Sequence, residues 1–359
     1  MTERLQRINL PEPGRVYRVV QWAPGRIGTV SLRTLIESPQ FELVGVLVHS
    51  EAKAGKDAGE LCGLPATGVR ATRDIEAIIA LKPDCVIATP DRTGADEVCR
   101  FLEAGINVAT SRVDYVDPAR MRPELRERVE AACRKGNSSI HATGSSPGFV
   151  SESLPLVLTS MSRTMDCLTI DEFADIPASC PDYQCAQMGF GRPMGGEFPR
   201  ELLQEMAHGF IQSINVVATG LGVTLDPDFD IFAETAATRQ GFDLPGGTPV
   251  GQGTVGAQRI TISGLRGGKP FIRFRINWYI TTQVDADWNL RSSGWRLVID
   301  GPTPLIADIA YPPMTPEHYS TAMAGLTGYR VVNAAPLVCA AEAGIRTSIE
   351  LPVICPNMG

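Results

Sequence analysis

Short apolar segments alternate with helical segments over Val16–Phe149, and this alternation constrains the fold more than any other feature of the sequence. The apolar segments are typical of strands covered on both faces, since the second one, FELVGVLVHS, is apolar at nearly every position of Leu43–Val48. Strands joined by crossover helices pair in parallel through right-handed connections. The sequence therefore predicts an α/β fold with a Rossmann-type doubly wound parallel sheet.

The pattern changes after Phe149, where β-branched and aromatic residues alternate with polar ones. The segments with this pattern are CLTIDEFADI, QRITISGLRGG, PFIRFRINWYITT and GWRLVIDG. Period-two alternation is typical of antiparallel strands with two different faces. We therefore expect a second α+β domain with a mostly antiparallel sheet, and a helix over VSESLPLVLTS that crosses into it.

Composition excludes several classes of protein. The net charge of -7 argues against a nucleic-acid-binding protein, which normally has a basic face. No apolar run is long enough to span a bilayer, and the first residues, MTERLQRINLPEPG, have no apolar core of a secretory signal. The nine cysteines form no C-x-x-C pair and the four histidines lie far apart, so we expect no metal site and a reducing, cytoplasmic location.

The turn after the first strand, WAPGRIG, nearly matches the glycine-rich G-x-G-x-x-G turn of dinucleotide-binding proteins. Gly25 and Gly28 take the second and third glycine positions, while Ala23 takes the first, which alanine can occupy if its φ stays negative. Any turn from a strand into a helix favours glycine, but this one follows the first strand of a predicted parallel sheet. We therefore interpret it as a phosphate-binding turn at a helix N-terminus.

Ligands of open parallel sheets bind beyond the carboxyl ends of the strands. The residues that directly follow the predicted strands are therefore the candidates for cofactor binding. They are Ala23, Pro24, Gly25, Arg26, Ile27, Gly28, His49, Ser50, Lys53, Thr89, Pro90, Asp91, Thr110 and Ser146.

The end of the second strand bears on the choice between NAD and NADP. A carboxylate there would accept hydrogen bonds from the ribose 2′-hydroxyl of NAD, but the strand ends in His49-Ser50-Glu51. Ser50, with Lys53 and Arg26, can bind a 2′-phosphate, so NADP is the expected cofactor and NAD the alternative. Two readings stay open: Glu51 can turn inwards, and Lys53 with Lys56 can equally form a solvated loop.

The chain resembles the dihydrodipicolinate reductase N-terminal superfamily, and within it the group of 2,4-diaminopentanoate dehydrogenases and native amine dehydrogenases. The resemblance is carried by WAPGRIG, GVLVHSEAKAGKDAGELCGLP, CVIATPD, LEAGINVATS, HATGSSPGFVSESLPLVL and YRVVNAAPLVCAAEAGIRTSIELP. It implies a dinucleotide-binding domain over residues 1–150, with 328–359 packing back on it, and a substrate and dimerisation domain over 151–327. It also implies a homodimer, and places Asn333 near the cofactor.

The activity that this resemblance implies is NAD(P)-dependent oxidative deamination of a small amine, or reductive amination of a ketone or aldehyde. The histidine-and-lysine motif of true dihydrodipicolinate reductases is absent. Relatives that deaminate amines carry adjacent glutamates after the strand that matches INVATS, where this chain has Arg112-Val113-Asp114. Asp114 is therefore the first candidate for the catalytic acid or base, although aspartate at such a position also commonly caps a helix.

The second domain offers further candidates on its predicted strands. Glu172 is the second catalytic candidate, and Phe173, Asp175, Trp278 and Tyr279 are candidates for a substrate pocket, although aromatic residues in strands more often lie in the core. The segment CPDYQCAQMGFGRPMGG has glycine hinges and can serve as a lid or as a dimer contact. Few charged residues accompany these strands, which favours a small, mainly apolar amine or ketone.

Four alternatives to an amine dehydrogenase are considered. A sugar or polyol dehydrogenase of this architecture would carry an E-K-P element that is not found at INVATSR, and a thiolate aldehyde dehydrogenase would need a cysteine at a turn facing the cofactor. Another NAD(P)-dependent oxidoreductase acting on a hydroxy or imine substrate fits the same pattern. A protein that binds NAD(P) without catalysis is the alternative from a different class.

Overall fold

The computed structural model describes residues 9–90, 94–178, 180–196, 198 and 200–358. Asp91 and the start of the chain lie outside these ranges. The chain divides into two compact units, one formed by Met1–Ser153 with Thr321–Gly359 and the other by Leu154–Ser320.

The first unit contains a seven-stranded sheet in which every pairing is parallel. Its strands are β1 (Tyr17–Trp22), β2 (Phe41–Leu47), β3 (Ala71–Thr72), β4 (Cys85–Ala88), β5 (Asn107–Thr110), β6 (Ser139–Ala142) and β15 (Gly344–Arg346). They follow the order β15-β6-β5-β4-β1-β2-β3, so the strand order reverses at β1. The predicted Rossmann-type fold is confirmed.

The helices of this unit begin and end where the sequence provides the signals. They are α1 (Arg26–Glu37), α2 (Ala58–Cys62), α3 (Ile75–Ala80), α4 (Ala95–Glu103), α5 (Pro123–Gly136) and, from Thr321 onwards, α9 (Pro316–Ala340). Asp74 caps α3 by accepting the amides of Glu76 and Ala77. Gly105 follows α4 with φ +81°, a conformation that glycine adopts without strain.

The last helix covers one face of the parallel sheet. Val331, Ala334 and Val338 of α9 are fully buried and pack in one cluster with residues of β1, β4 and β5. Near its other end, Gly328 lies against α1, where Ser31 Oγ donates to the Gly328 carbonyl at 3.4 Å. The chain then adds β15 beside β6, so its C-terminal segment completes the same sheet.

The second unit contains a six-stranded sheet of order β14-β13-β7-β12-β11-β8. Its elements are α6 (Leu154–Thr159), β7 (Cys167–Asp175), α7 (Asp182–Gln187), α8 (Arg200–Gly220), β8 (Phe229–Ala237), β9 (Phe242–Asp243), β10 (Pro249–Val250), β11 (Val255–Arg266), β12 (Lys269–Tyr279), β13 (Gly294–Asp300) and β14 (Leu305–Ala310). Only β7 and β12 pair in parallel, which confirms a mostly antiparallel sheet.

Helix α8 packs against one face of this sheet. It contacts β8, β11 and β12, and Phe210 stacks on Phe274 with ring centroids 4.2 Å apart. The opposite face carries a row of charges across four neighbouring strands, in the order Asp308, Arg296, Asp171, Arg275. Arg275 Nε donates to Asp171 at 2.5 Å, and Arg296 Nε donates to Asp308 at 2.7 Å.

The structure differs from the sequence-based expectation in details of single elements. The segment expected to be one helix, VSESLPLVLTS, is helical up to Thr159, with a wider π-type stretch over residues 150–153 followed by α6, and the non-helical residues 146–148 lie before it. Strands β8 and β14 were not predicted. The short pair β9 and β10 was not predicted either.

Two features are absent from the described residues. No described helix is both long and apolar enough to span a membrane. No group of three or more histidine, cysteine, aspartate or glutamate side chains in the described ranges could hold a metal ion.

Candidate functional site

Helix α1 starts directly after β1 and lies close against it at Gly28. A Cβ atom at this position would be 2.2 Å from the carbonyl oxygen of Ala23 and 2.5 Å from Thr89 Oγ1. Real Cβ atoms do not approach backbone this closely, so only glycine fits without displacing the strand end. This is the role of the third glycine in a dinucleotide-binding turn.

The expectation that Ala23 keeps a negative φ is wrong, because its φ is +60°. Three hydrogen bonds hold this left-handed turn. The Ala23 amide donates to Leu47 O at 2.9 Å, and its carbonyl accepts from the Gly25 amide at 2.7 Å and from Thr89 Oγ1 at 3.1 Å. A non-glycine residue in this region costs about 1–2 kcal/mol, which these tertiary contacts offset.

Gly25 is the N-cap residue of α1 and leaves the start of the helix accessible. Its backbone is extended, with φ -85° and ψ -152°, and it supplies no side-chain cap. A Cβ at Gly25 would have no atom within 4 Å, so the space in front of it is open. An uncapped helix N-terminus beside open space binds anions, and a cofactor diphosphate fits this position.

The turn forms one wall of a cleft of about 690 Å³ in the first unit. The cleft brings most of the predicted cofactor-binding residues together. Its lining residues are Ala23, Pro24, Gly25, Arg26, Ile27, Val48, His49, Ser50, Lys53, Thr89, Pro90, Met323 and Ala324. No carboxylate is present among these residues, and Arg26 and Lys53 give the cleft a positive charge.

Two polar contacts hold side chains at the mouth of the cleft. Trp22 Nε1 donates to His49 Nε2 at 3.1 Å, so this nitrogen of the imidazole is the acceptor. Lys53 Nζ donates to the Pro24 carbonyl at 2.6 Å. Glu51 does not line the cleft, and its carboxylate accepts from Arg73 at 2.7 Å on the exposed surface.

The remaining predicted cofactor residues lie elsewhere in the first unit. The Thr110 hydroxyl donates to Ala88 O at 2.9 Å. Ser146 Oγ is buried without a partner among the described residues, and Asn333 is half-buried on α9. Thr110, Ser146 and Asn333 are not among the lining residues. The prediction for Asp91 lies outside the described residues.

Asp114 lies in a short 3-10 turn after β5 and is paired with Arg112. Both side chains are about three-quarters buried. Burial and then the neighbouring Asp114 carboxylate raise the pKa of Tyr115 to about 12. Asp114 is thus held by Arg112 at the carboxyl end of a strand of the parallel sheet.

The five candidates of the second unit lie on both faces of its sheet. Phe173, Asp175 and Tyr279 belong to one face, since strand neighbours alternate and β7 and β12 pair Asp175 with Tyr279. Phe173 and Tyr279 are buried in one cluster. Glu172 and Trp278 belong to the other face, where Trp295 Nε1 donates to Glu172 Oε2 at 3.0 Å.

The Asp175 carboxyl group is partly buried. Its backbone amide donates to Ser293 Oγ at 3.0 Å, while burial raises the pKa of its carboxyl group. It therefore holds a proton more readily than a solvated aspartate. The structure does not bring all five candidates to one surface.

Sequence reasoning missed three residues of the cleft, Val48, Met323 and Ala324. Val48 precedes the chosen strand-end residues by one position and could have been included. Met323 and Ala324 lie on α9, about three hundred residues after the turn, and no motif marks them. Their position follows from the packing of α9 on α1 at Gly328.

Comparison with known proteins agrees with this fold. Residues 19–108 match the family model for the N-terminus of dihydrodipicolinate reductase. An amine dehydrogenase of Streptomyces virginiae is 30% identical over 354 residues, which cover 93% of this chain and 96% of that protein. The amine dehydrogenase structure from Mycobacterium smegmatis superposes with a TM-score of 0.72 at 19% identity, over 95% of this chain and 97% of that one.

A nicotinamide nucleotide is present in another solved structure of the same fold. The WlbA dehydrogenase of Chromobacterium violaceum, solved with NADH and UDP-GlcNAcA, superposes with a TM-score of 0.50 at 13% identity, over 92% of this chain and 88% of that one. The 30% identity with the Streptomyces virginiae enzyme over nearly the full length of both chains shows that this chain is an NAD(P)-dependent oxidoreductase. It belongs to the amine dehydrogenase family.

Two glycine variants separate packing from binding in this cleft. We expect Gly28→Ala to lower the midpoint of thermal unfolding by about 5 °C or more, because its Cβ meets the Ala23 carbonyl. Gly25→Ala meets no atom and keeps a negative φ, so its unfolding midpoint should stay near that of the wild type. Its dissociation constant for NADP should nevertheless rise about tenfold, since the methyl group enters the diphosphate position.

Calorimetry and equilibrium binding of NADP give both quantities for each variant. Unchanged NADP affinity in Gly25→Ala would contradict the assignment of the diphosphate to the start of α1.

Proposed function

We propose that this protein is an NADP-dependent amine dehydrogenase that deaminates a small, mainly apolar amine oxidatively, or aminates a ketone or aldehyde reductively. The observation that carries the proposal is the glycine turn at the start of α1, facing an open, positively charged cleft, in a chain of the amine dehydrogenase family. The amine substrate is inferred from the relatives, and the nucleotide cofactor is inferred from the cleft.

The residues of the cleft fit the proposed cofactor. The amides at the start of α1 would hold the diphosphate, and Gly25 leaves room for it. Arg26, Ser50 and Lys53 would hold the 2′-phosphate. When bound, this cofactor would supply hydride transfer to or from the substrate carbon that bears the nitrogen.

Two carboxylates are proposed for the chemical step. Arg112 holds Oδ2 of Asp114, and we assign Oδ1 of Asp114 the removal of a proton from the amine nitrogen. Glu172 is assigned the orientation of the amine, and its Oε2 is fixed by the Trp295 indole. Among the substrate-pocket candidates, Trp278 shares the sheet face of Glu172, whereas Phe173 and Tyr279 are buried in the core on the other face.

A panel of paired substrates tests the activity. We expect sec-butylamine and cyclohexylamine to reduce NADP at alkaline pH, where the amine is less protonated, while the matched alcohols sec-butanol and cyclohexanol give no reaction. Asp114→Asn should lower kcat about 100-fold with unchanged NADP affinity, since only the proton acceptor is removed. The absorbance of the reduced nicotinamide measures turnover.

Turnover of the alcohols in place of the amines would favour the hydroxy-substrate oxidoreductase. Tight NADP binding without turnover of any amine, ketone or alcohol would favour the sensor.

The preference for NADP rests on the two cations of the cleft. We expect Lys53→Ala to raise the KM for NADP about tenfold and to leave the KM for NAD nearly unchanged, because the 2′-phosphate is the one part of the cofactor that the lost ammonium would contact. Lys56→Ala is the matched control, since Lys56 pairs with Glu60 at 3.1 Å and does not line the cleft. Equal effects on both cofactors would contradict the assignment of Lys53 to the 2′-phosphate.

We also propose that the enzyme is located in the cytoplasm. All nine cysteines are free thiols in the structure, which suits a reducing compartment.

A homodimer through the second-unit sheet also belongs to this proposal. The sheet face opposite α8 exposes Phe232 by 39% and Ile306 by 59%, beside the charged row of Asp308, Arg296, Asp171 and Arg275. Exposed apolar residues beside alternating charges suit a self-complementary contact. We expect sedimentation to give a dimer that dissociates in the double variant Phe232→Glu and Ile306→Glu. A wild-type monomer at micromolar concentration would contradict this arrangement.

A further inference from the structure

An aromatic cluster beside Glu172 has no part in the cofactor cleft. It consists of Trp295 on β13, Tyr311 after β14, and Tyr319 in the first turns of α9, all within the second unit. The Trp295 and Tyr311 ring centroids are 5.8 Å apart, and those of Tyr311 and Tyr319 are 6.4 Å apart. These three residues are called the aromatic cluster, and Glu172 lies beside them.

Neighbouring rings of the aromatic cluster stand nearly perpendicular to each other. The angle between the Trp295 and Tyr311 planes is 78°, and between the Tyr311 and Tyr319 planes it is 82°. Each of the three side chains is half-buried, so ring surface remains accessible. Perpendicular rings form a corner whose walls include negative ring faces, and such corners attract cations.

The carboxylate of Glu172 adds a full negative charge to this corner. Its Oε2 accepts the indole N–H of Trp295, which holds the carboxylate at the edge of the ring. The Glu172 carboxylate also lies close enough to the Tyr311 phenol to raise its pKa, after the larger effects of burial and of Tyr319. Arg296 follows Trp295 in the strand but belongs to the opposite sheet face, where it pairs with Asp308.

The Tyr311 hydroxyl lacks a hydrogen-bond partner among the described residues. Its oxygen is buried. A buried hydroxyl without a partner is costly, and most such groups in folded proteins are paired. An ammonium N–H can donate to this oxygen, while its charge contacts the ring faces.

We propose that the aromatic cluster binds the ammonium group of the amine substrate. Ring faces and the Glu172 carboxylate attract the positive charge, and the Tyr311 oxygen accepts one N–H. The proposal rests on the proposed function for the identity of the substrate, and it adds the site that recognises the amine. A neutral molecule of the same size gains none of these charge interactions and should bind far more weakly.

Tetramethylammonium tests this site without turnover, because it cannot form a ketone, and tert-butanol is a neutral probe of similar size. By calorimetry at constant ionic strength, we expect saturable binding of tetramethylammonium to the full chain and none of tert-butanol. Tyr319→Leu should weaken this binding about tenfold, while Tyr319→Phe, which keeps the ring, should bind like the wild type. Tetramethylammonium should also raise the KM for the amine without changing kcat.

Two controls keep a folding defect apart from a binding defect. Tyr329→Leu changes an exposed tyrosine farther along the same helix and should leave tetramethylammonium binding unchanged. Unchanged NADP affinity in Tyr319→Leu reports an intact first unit.

Normal amine turnover without tetramethylammonium binding, or equal affinity in Tyr319→Leu, would overturn the aromatic cluster as the ammonium site and leave the proposed function standing. Ring-dependent binding without turnover of any amine would overturn the proposed function and keep the site.

Discussion

The contact between Gly28 and the carbonyl of Ala23 is the constraint on which the cofactor cleft depends. It sets how closely α1 approaches the end of β1, and any side chain at Gly28 would force the two apart. The approach places the open face of Gly25 and the first amides of α1 at the carboxyl edge of the sheet. Thr89 also binds this carbonyl from the end of β4, so the strand, the turn and the helix are held together.

The C-terminal helix extends this arrangement from a distant part of the sequence. Its buried residues Val331, Ala334 and Val338 cover the sheet, and Gly328 packs on Ser31 of α1. This packing brings Met323 and Ala324 to the cleft, opposite the strand-end residues. The first unit is therefore complete only when the end of the chain has returned to it.

The fold of the first unit was predictable because its signals are local. Buried parallel strands are continuous apolar runs, and residues such as Asp74 and Gly105 mark the helix ends. The φ of Ala23 was predicted wrongly because hydrogen bonds from Gly25 and Thr89 determine it. Those contacts are tertiary, and the propensity of alanine carries no information about them.

The second unit was harder to predict, for two physical reasons. Strand periodicity could have shown that Glu172 and Phe173 face opposite ways, so one pocket could not take both. Tyr311 and Tyr319 are the first and last residues of the proline-rich stretch YPPMTPEHY, in which apolar residues follow no regular helix or strand period. The aromatic cluster exists only because the sheet brings β13 beside β7 and the chain then turns into α9.

Hydride transfer between the substrate carbon next to nitrogen and the nicotinamide is the central element of the proposed function. An amine deuterated at that carbon tests it directly when it is incubated with the enzyme and NADP, and the nucleotide is analysed by mass spectrometry. We expect reduced NADP that carries one deuterium on the nicotinamide ring. Ketone formation with reduced NADP free of deuterium would contradict it.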